Sequence, residues 1–285
     1  MSIEFLINRQ NPDGGWPYRG GRSWTEPTAY AVLSLLGTGE SERSQRGIEW
    51  LLSHQRSDGG WPPTPGIDES CWVTALVALV PRPNLGVAAH TRSIRWLLGT
   101  TGEESTFLYR LREWLLGNAM GPEVRSPGWP WIPGSAAWVG PTSLAMLALT
   151  KENRERPSVA AAVRIEEGRQ FLINRMCHGG GWNHGSVRAL GYEADPYPET
   201  TGMALAALRG CGGRHVERSV AVARRFLGEC RSADAVNWLR LGLHAQEGLP
   251  AGYCPPAGIA CRTIPEASLE LLVAGTEQGQ NVFWV

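Results

Sequence analysis

A tryptophan-containing loop between two helical patterns recurs along the chain, and this repeat constrains the fold more than any other feature. The first copy spans residues 5–36 and the second spans 50–80, and their loop tryptophans, Trp16 and Trp61, lie 45 residues apart. That period is typical of helical hairpins arranged in tandem. Further copies, the last two without a Gly-Gly-Trp loop, lie at 126–149, 171–185 with 197–210, 224–245 and 263–275.

The two helices of each repeat differ in pattern. The first carries large apolar residues at helical spacing, such as Ile48, Leu51 and Leu52, with polar residues on the opposite side, as in a helix with one exposed face. The second, as at 29–36 and 201–208, is apolar or small nearly all round, which predicts burial on every side. We therefore expect outer first helices and inner second helices, with an additional helix at 105–118.

Composition narrows the possible partners. The 27 basic and 27 acidic side chains give a formal net charge of zero, so no overall field favours nucleic acid or an anionic membrane surface. No apolar stretch approaches the roughly 18 residues of a membrane span, and the first ten residues lack a leader pattern. The sequence predicts a cytoplasmic protein without a transmembrane segment. Its six cysteines are expected to be reduced, although Cys254 and Cys261 share one loop and are close enough in sequence to pair.

The segments QNPDGGW (10–16) and QRSDGGW (55–61) resemble the QW motif of squalene-hopene cyclases, oxidosqualene cyclases and related terpene cyclases. The later copies lack the glutamine, and Met176 stands in its place before Trp182. The resemblance implies an all-α fold, a single α/α barrel over residues 1–285. About five to six hairpins would place their inner helices around a central cavity. Squalene-type cyclases have two such barrels, so a smaller substrate or no cyclase activity is expected.

The repeated loops themselves are interpreted as structural. The glutamine is expected to cap the end of an outer helix, the glycines to permit the turn, and the tryptophan to pack between hairpins. Function is therefore sought at the starts of the inner helices.

Carboxylates open several inner helices: Glu26, Asp68 with Glu69, and Glu199. Each can serve as a first-turn acid that satisfies free amides. The segment YPETTGM (197–203) also resembles the acid motif D-x-D-D-T-A of class II terpene cyclases, with Glu199 at the position of the proton-donating aspartate. A glutamic acid desolvated in an apolar cavity keeps its proton at neutral pH, and Asp195 or Glu193 is a candidate partner. The candidate catalytic residues are Glu199, Asp195, Glu69 and Asp68.

A zinc site is the alternative chemistry. Protein prenyltransferase β-subunits share the barrel, and Glu69-Ser70-Cys71 resembles their first ligand element, but no histidine opens the following inner helix. His178 and His184 flank Trp182, next to Cys177. Solvated loop histidines are the simpler interpretation, and we expect neither a metal ion nor a cofactor.

Aromatic residues stand in or just before the inner helices, where their rings can line a cavity or pack between helices. Aromatic walls exclude water and stabilise carbocations, as polyene cyclisation requires. The candidate substrate-binding residues are Trp24, Tyr30, Trp72, Trp138, Tyr197 and Trp238.

Three functions follow from these features. The first is a class II terpene-cyclase-like enzyme that cyclises a linear isoprenoid by metal-independent protonation. The second is a non-catalytic barrel that binds an isoprenoid, a lipid or a protein partner. The third is a zinc-dependent prenyltransferase-like subunit. A homodimer is left open.

Overall fold

The structure, a computed structural model, describes residues 2–36, 38–116, 126–185, 188–189, 192–246, 248–249, 253 and 258–284. Within these ranges it contains thirteen α-helices, a 3-10 turn at Glu103–Ser105 and one antiparallel pair of two-residue strands. The helices are α1 (Ser2–Ile7), α2 (Thr25–Leu35), α3 (Ser41–Ser53), α4 (Val73–Ala78), α5 (Arg82–Leu85), α6 (Val87–Gly99), α7 (Phe107–Leu115), α8 (Val139–Glu155), α9 (Val159–Asn174), α10 (Pro198–Ala207), α11 (Arg214–Glu229), α12 (Ala233–Gln246) and α13 (Ile264–Glu277). The strands are β1 (Arg188–Ala189) and β2 (Tyr192–Glu193).

The chain forms two compact units. The first comprises Met1–Leu97 and Ala257–Val285, and the second comprises Leu98–Pro256. In the first unit α2 packs against α3, α4 and α13, and α1 packs against α13. In the second unit α10 packs against α8, α11 and α12. That residues 1–285 form one domain stays a prediction.

The two kinds of helix differ in burial as the sequence predicts. Nearly every residue of α2 is buried, and so are the first eleven residues of α8, Val139–Leu149. In α3, by contrast, one face is buried, with Ile48 and Leu51 in the core. The additional helix expected at 105–118 is α7, within the described part of that range. No helix in the described ranges is long and apolar enough to cross a membrane.

The loop tryptophans are the centres of the repeats. Trp16, Trp61 and Trp182 are fully buried, and their indole N–H groups donate to the carbonyls of Leu6, Leu51 and Leu172 at 2.9, 2.7 and 2.6 Å. Each indole therefore ties the loop to the end of the preceding helix. The backbone N–H of each loop tryptophan also donates to a threonine hydroxyl of the following helix region, at 2.9–3.0 Å. These threonines are Thr28, Thr74, Thr142 and Thr201.

The motif glutamines bind the next outer helix. The Gln10 amide donates to the carbonyls of Gly14 and Arg43, both at 2.9 Å, and Gln55 donates to Gly59 and Ala89 in the same way. Arg43 and Ala89 lie near the starts of α3 and α6, so each glutamine joins its own loop to the following hairpin. The role differs from the expected cap because the second acceptor is more than thirty residues away along the chain.

Helices α10 and α12 cross at two glycines. A Cβ atom at Gly202 would lie 2.3 Å from the carbonyl carbon of Trp238 and 2.4 Å from its oxygen, and one at Gly242 would lie 2.5 Å from the Gly202 oxygen. Only residues without side chains allow the two backbones to approach this closely. The crossing holds α10, which follows Tyr197 directly and contains Glu199, against α12.

Candidate functional site

Three rings converge in the second unit at the starts of α8 and α10. The His184 ring lies 6.1 Å from the ring of Trp138 and 5.1 Å from that of Tyr197, centre to centre. They line a pocket of about 360 Å³ whose wall is mostly apolar. Its lining residues are Ala136, Ala137, Trp138, Arg175, Asn183, His184, Gly185, Ala194 and Tyr197. Two predicted substrate-binding residues, Trp138 and Tyr197, are thus brought together.

The repeat explains why these rings meet. Trp138 and Tyr197 are the residues immediately before α8 and α10, in extended conformation, and their N–H groups donate to the carbonyls of Trp129 and Trp182 at 3.0 and 2.8 Å. His184 follows Trp182 by two residues, and its carbonyl accepts the N–H of Val139 at 3.0 Å. Each side chain is therefore fixed by the main chain of a tryptophan loop.

Trp24 and Cys71 occupy the equivalent position in the first two repeats. Their N–H groups donate to the carbonyls of Trp16 and Trp61, each at 2.9 Å. The repeat therefore presents one side chain from each hairpin at this place, and in three of the four cases it is aromatic.

The exposure of the rings favours ligand contact over core packing. Trp138 is 38% exposed and Tyr197 is 45% exposed. The loop tryptophans of the same repeats, Trp129 and Trp182, are at most 2% exposed. Aromatic rings left accessible beside a concave apolar surface are typical of small-molecule sites.

Arg175 supplies the positive charge of the pocket. Its guanidinium donates to the carbonyl of Gly185 at 2.5 Å, lies over the ring of Phe171 at 5.1 Å, and lies 3.9 Å from a carboxylate oxygen of Glu104. Sequence reasoning missed Arg175 and Asn183, because neither stands at the start of an inner helix and no motif marks them.

The predicted acid Glu199 lies in the first turn of α10, two residues after Tyr197, and is half-buried. Its side chain makes no hydrogen bond or ion pair with any described residue, and it does not line the pocket.

Asp195, a candidate partner of Glu199, is exposed. Burial raises the pKa of the Cys177 thiol, and the charge of Asp195 raises it further. The side chain of Glu193, the other candidate partner, lies outside the described residues.

Asp68 and Glu69 belong to the first unit and are exposed. The Asp68 carboxylate pairs with the guanidinium of Arg56. Glu26, also in this unit, accepts a hydrogen bond from the hydroxyl of Tyr18. Burial and the neighbouring Glu26 carboxylate raise the pKa of Tyr18 well above its ordinary value.

The remaining aromatic candidates divide by burial. Tyr30 and Trp238 are buried, at 3% and 2% exposure, which places their rings in the core. Trp24 and Trp72 are half-buried. The Trp24 ring lies 5.6 Å from that of Tyr18, in the first unit.

The segment Glu69-Ser70-Cys71, which resembles a zinc-ligand element, contains a buried thiol. Burial raises the pKa of Cys71 to about 11, and the charge of Glu69 raises it further, so the thiol stays protonated at neutral pH. In the part of the chain that the structure describes, no group of three or more His, Cys, Asp or Glu side chains is arranged to hold a metal ion. Cys261 is a free thiol, and Cys254, its suggested partner, lies outside the described residues.

A family model matches the part of the chain that contains both QW-like segments, 10–16 and 55–61. Residues 1–65 match the family of squalene-hopene cyclase C-terminal domains, which confirms the resemblance drawn from the repeated motif. No curated protein matches the chain.

Solved structures confirm the predicted all-α, α/α-barrel fold class. A type II terpene cyclase variant from Scytonema, in complex with geranylgeranyl dihydroxybenzoate, is 18% identical with a TM-score of 0.53, over 82% of this chain and 62% of the cyclase. The family 8 endoglucanase Cel10 from Klebsiella pneumoniae is 16% identical with a TM-score of 0.59, over 98% of this chain and 99% of the endoglucanase. A protein from Actinoplanes is 15% identical with a TM-score of 0.55, over 98% of this chain and 79% of the Actinoplanes protein.

These similarities concern the fold. A terpene cyclase and a glycoside hydrolase share it, and the present chain spans 62% of that cyclase. Function must therefore be argued from the pocket.

Proposed function

We propose that this protein binds a linear isoprenoid, or a similar apolar molecule, in the pocket formed by Trp138, His184 and Tyr197. The observation that carries the proposal is the convergence of these rings on a mostly apolar cavity of about 360 Å³. Sites for small molecules typically have volumes of roughly 300–1,000 Å³ and mostly apolar walls with a few polar groups. The Scytonema cyclase, which shares the fold, was solved with a geranylgeranyl compound.

The pocket suits an apolar chain better than a sugar. Its described wall offers aromatic faces and alanines, and its polar groups are concentrated in Arg175, Asn183 and His184. Asn183 accepts the N–H of Gly185 at 2.9 Å, and Arg175 donates to the Gly185 carbonyl. These two side chains thus take part in holding the loop. The cytoplasmic location, the absence of a metal requirement and a homodimer remain predictions.

Truncating either half-exposed ring is expected to weaken binding of geranylgeraniol about tenfold. Trp138→Ala and Tyr197→Ala each remove an aromatic contact worth about 0.5–1.5 kcal/mol in addition to the apolar area that the ring buries, and 1.4 kcal/mol corresponds to a factor of ten. Titration calorimetry measures the dissociation constants. Trp114→Ala is the matched control, because Trp114 is 69% exposed on α7 and does not line the pocket. Wild-type affinity in both pocket variants would contradict the proposal.

Cyclisation by Glu199 is the second candidate function. Glu266, an acid in the first turn of α13, uses its carboxylate to accept the N–H groups of Arg262 and Thr263. Glu199 occupies a similar place in α10 but makes no such bond to a described residue. Its carboxyl group lies two residues after the pocket residue Tyr197.

The proposed reaction begins with transfer of the Glu199 carboxyl proton to an alkene carbon of the isoprenoid. A C–H bond forms, the π electrons are consumed, and a carbocation remains on the other alkene carbon. A second alkene attacks that cation and closes a ring. Loss of a proton to water or to the carboxylate then restores neutrality, and no redox partner is needed. Aromatic faces such as those of Trp138 and Tyr197 stabilise the intermediate cation.

Glu199→Gln is expected to abolish product formation while leaving geranylgeraniol binding within about twofold of wild type. The amide cannot donate a carboxyl proton but keeps the size of the side chain. Purified proteins are incubated with linear isoprenoids and their diphosphates, with and without EDTA, and the products are identified by mass spectrometry. Glu217→Gln is the control, because Glu217 is an exposed first-turn acid of α11. Equal turnover by Glu199→Gln and wild type would exclude Glu199 as the acid, whereas binding without turnover by wild type would favour a binding protein.

A further inference from the structure

The two segments that carry the pocket rings are joined by a buried charged pair outside the predicted acid motif. Glu104 lies in the 3-10 turn before α7, and Arg175 follows the end of α9. Their side chains are 8% and 16% exposed, and a carboxylate oxygen of Glu104 lies 3.9 Å from the Arg175 guanidinium. Nothing in the repeat pattern requires a carboxylate at this place.

Glu104 holds the segment that ends in Trp138. The N–H of Ala137 donates to both carboxylate oxygens, at 3.0 and 3.1 Å. The main chain adds two more bonds between the same segments, from Gly102 N–H to the Gly128 carbonyl at 3.1 Å and from Glu103 N–H to the Ser135 carbonyl at 2.9 Å. The backbone directly before Trp138 is therefore fixed by a turn more than thirty residues earlier.

Arg175 extends the contact to the segment that carries His184. Its guanidinium donates to the carbonyl of Gly185 at 2.5 Å, and the His184 carbonyl in turn accepts the N–H of Val139. The carboxylate, the guanidinium and the two main-chain segments thus form one connected network. A network of this kind orients the groups that contact a ligand.

We infer that Glu104 and Arg175 are positioning residues for the aromatic pocket: the carboxylate fixes Trp138 through Ala137, and the guanidinium fixes His184 through Gly185. The inference rests on the proposed function of the pocket, but the positions of the rings can be measured without any ligand. Glu104 is not the proposed proton donor, because both of its oxygens accept the Ala137 N–H.

The test follows the rings in the protein free of ligand. Incorporated 5-fluorotryptophan gives a ¹⁹F signal for Trp138, assigned with Trp138→Phe, and labelled imidazole gives a signal for His184, assigned with His184→Gln. Glu104→Ala is expected to shift or broaden both signals. Glu104→Gln keeps an oxygen for the Ala137 N–H but loses the charge beside Arg175, so the His184 signal is expected to move more than the Trp138 signal. Glu103→Gln, a change at the neighbouring carboxylate, is expected to move neither.

Binding of geranylgeraniol is measured on the same proteins. We expect its dissociation constant to rise about tenfold in Glu104→Ala and to stay within twofold of wild type in Glu103→Gln. Unchanged Trp138 and His184 signals in folded Glu104→Ala would overturn the inference. If that variant does not fold, Glu104→Gln and Arg175→Lys decide the question by the same signals. Shifted signals in a protein whose wild type binds no geranylgeraniol would support the positioning role and contradict the proposed ligand instead.

Discussion

Gly202→Ala is expected to destabilise the protein by about 3 kcal/mol or more, the upper range for overpacking a core. The new methyl group would lie 2.3–2.5 Å from main-chain atoms of Trp238 and Leu239, which cannot move aside as a flexible side chain can. Helices α10 and α12 would have to separate, and α10 begins directly after Tyr197. Geranylgeraniol binding should therefore weaken along with stability.

Urea unfolding followed by circular dichroism measures the free energy of unfolding of the variant and of the wild type. Each value is obtained by linear extrapolation to zero urea, and the two are then compared. Gly228→Ala is the matched control, because Gly228 is also helical but has no atom within 4 Å of its would-be Cβ. Alanine is the better helix former there, so the control should gain about 0.5–1 kcal/mol. Equal midpoints for the two variants would show that the close crossing of α10 and α12 is wrong.

Trp182→Ala is expected to lower the free energy of unfolding by about 3–5 kcal/mol. The side chain is fully buried, and its indole N–H donates to the Leu172 carbonyl at 2.6 Å. Its truncation leaves a cavity and an unsatisfied carbonyl in the core.

Trp114→Ala is the control for this variant, because an exposed tryptophan outside the core should change stability by no more than about 0.5 kcal/mol. Thermal and urea unfolding of both variants test the comparison. A loss below about 1 kcal/mol for Trp182→Ala would mean that the loop tryptophan is not the centre of its repeat.

Much of the fold could be predicted because each hairpin has a pattern within a short stretch of sequence, and that pattern recurs along the chain. The Trp16 and Trp61 loops share one spacing, and the difference in pattern between α3 and α2 separates half-exposed from buried helices. Contacts between residues that are far apart in sequence could not be predicted. Gln10 reaches the carbonyl of Arg43, and its role as a link between hairpins is visible only once α3 is placed beside the loop.

The candidate site was predicted in part for the same reason. Trp138 and Tyr197 stand at a repeated position before inner helices, so the pattern revealed them. Arg175 and Glu104 do not stand at repeated positions. They are 71 residues apart in sequence, so their contact is visible only once the turn before α7 is placed beside the end of α9. Tyr30 and Trp238 were predicted to contact a ligand, but an aromatic residue inside an inner helix can face a cavity or the core equally well in sequence. Both rings are buried in the core, and their contact with a ligand stays a prediction.

Within each repeat, the residues that hold the hairpins together differ from those that can contact a ligand. The loop tryptophans and glutamines are occupied by hydrogen bonds that hold one hairpin to the next. The residue whose N–H donates to the carbonyl of the loop tryptophan differs between repeats: it is tryptophan, cysteine, tryptophan and tyrosine at positions 24, 71, 138 and 197. Changes at Trp138 and Tyr197, which line the pocket, should alter ligand preference with less effect on folding than changes in the loops.

Photo-crosslinking tests most directly whether the aromatic pocket is an isoprenoid site. A geranylgeraniol analogue carrying a diazirine is bound to the wild-type protein, irradiated and located by peptide mass spectrometry, with excess geranylgeraniol as competitor. We predict that the adduct maps to the segments around Trp138 and Tyr197 and disappears with competitor. An adduct confined to other segments, or labelling that the competitor does not reduce, would contradict the assignment of the pocket.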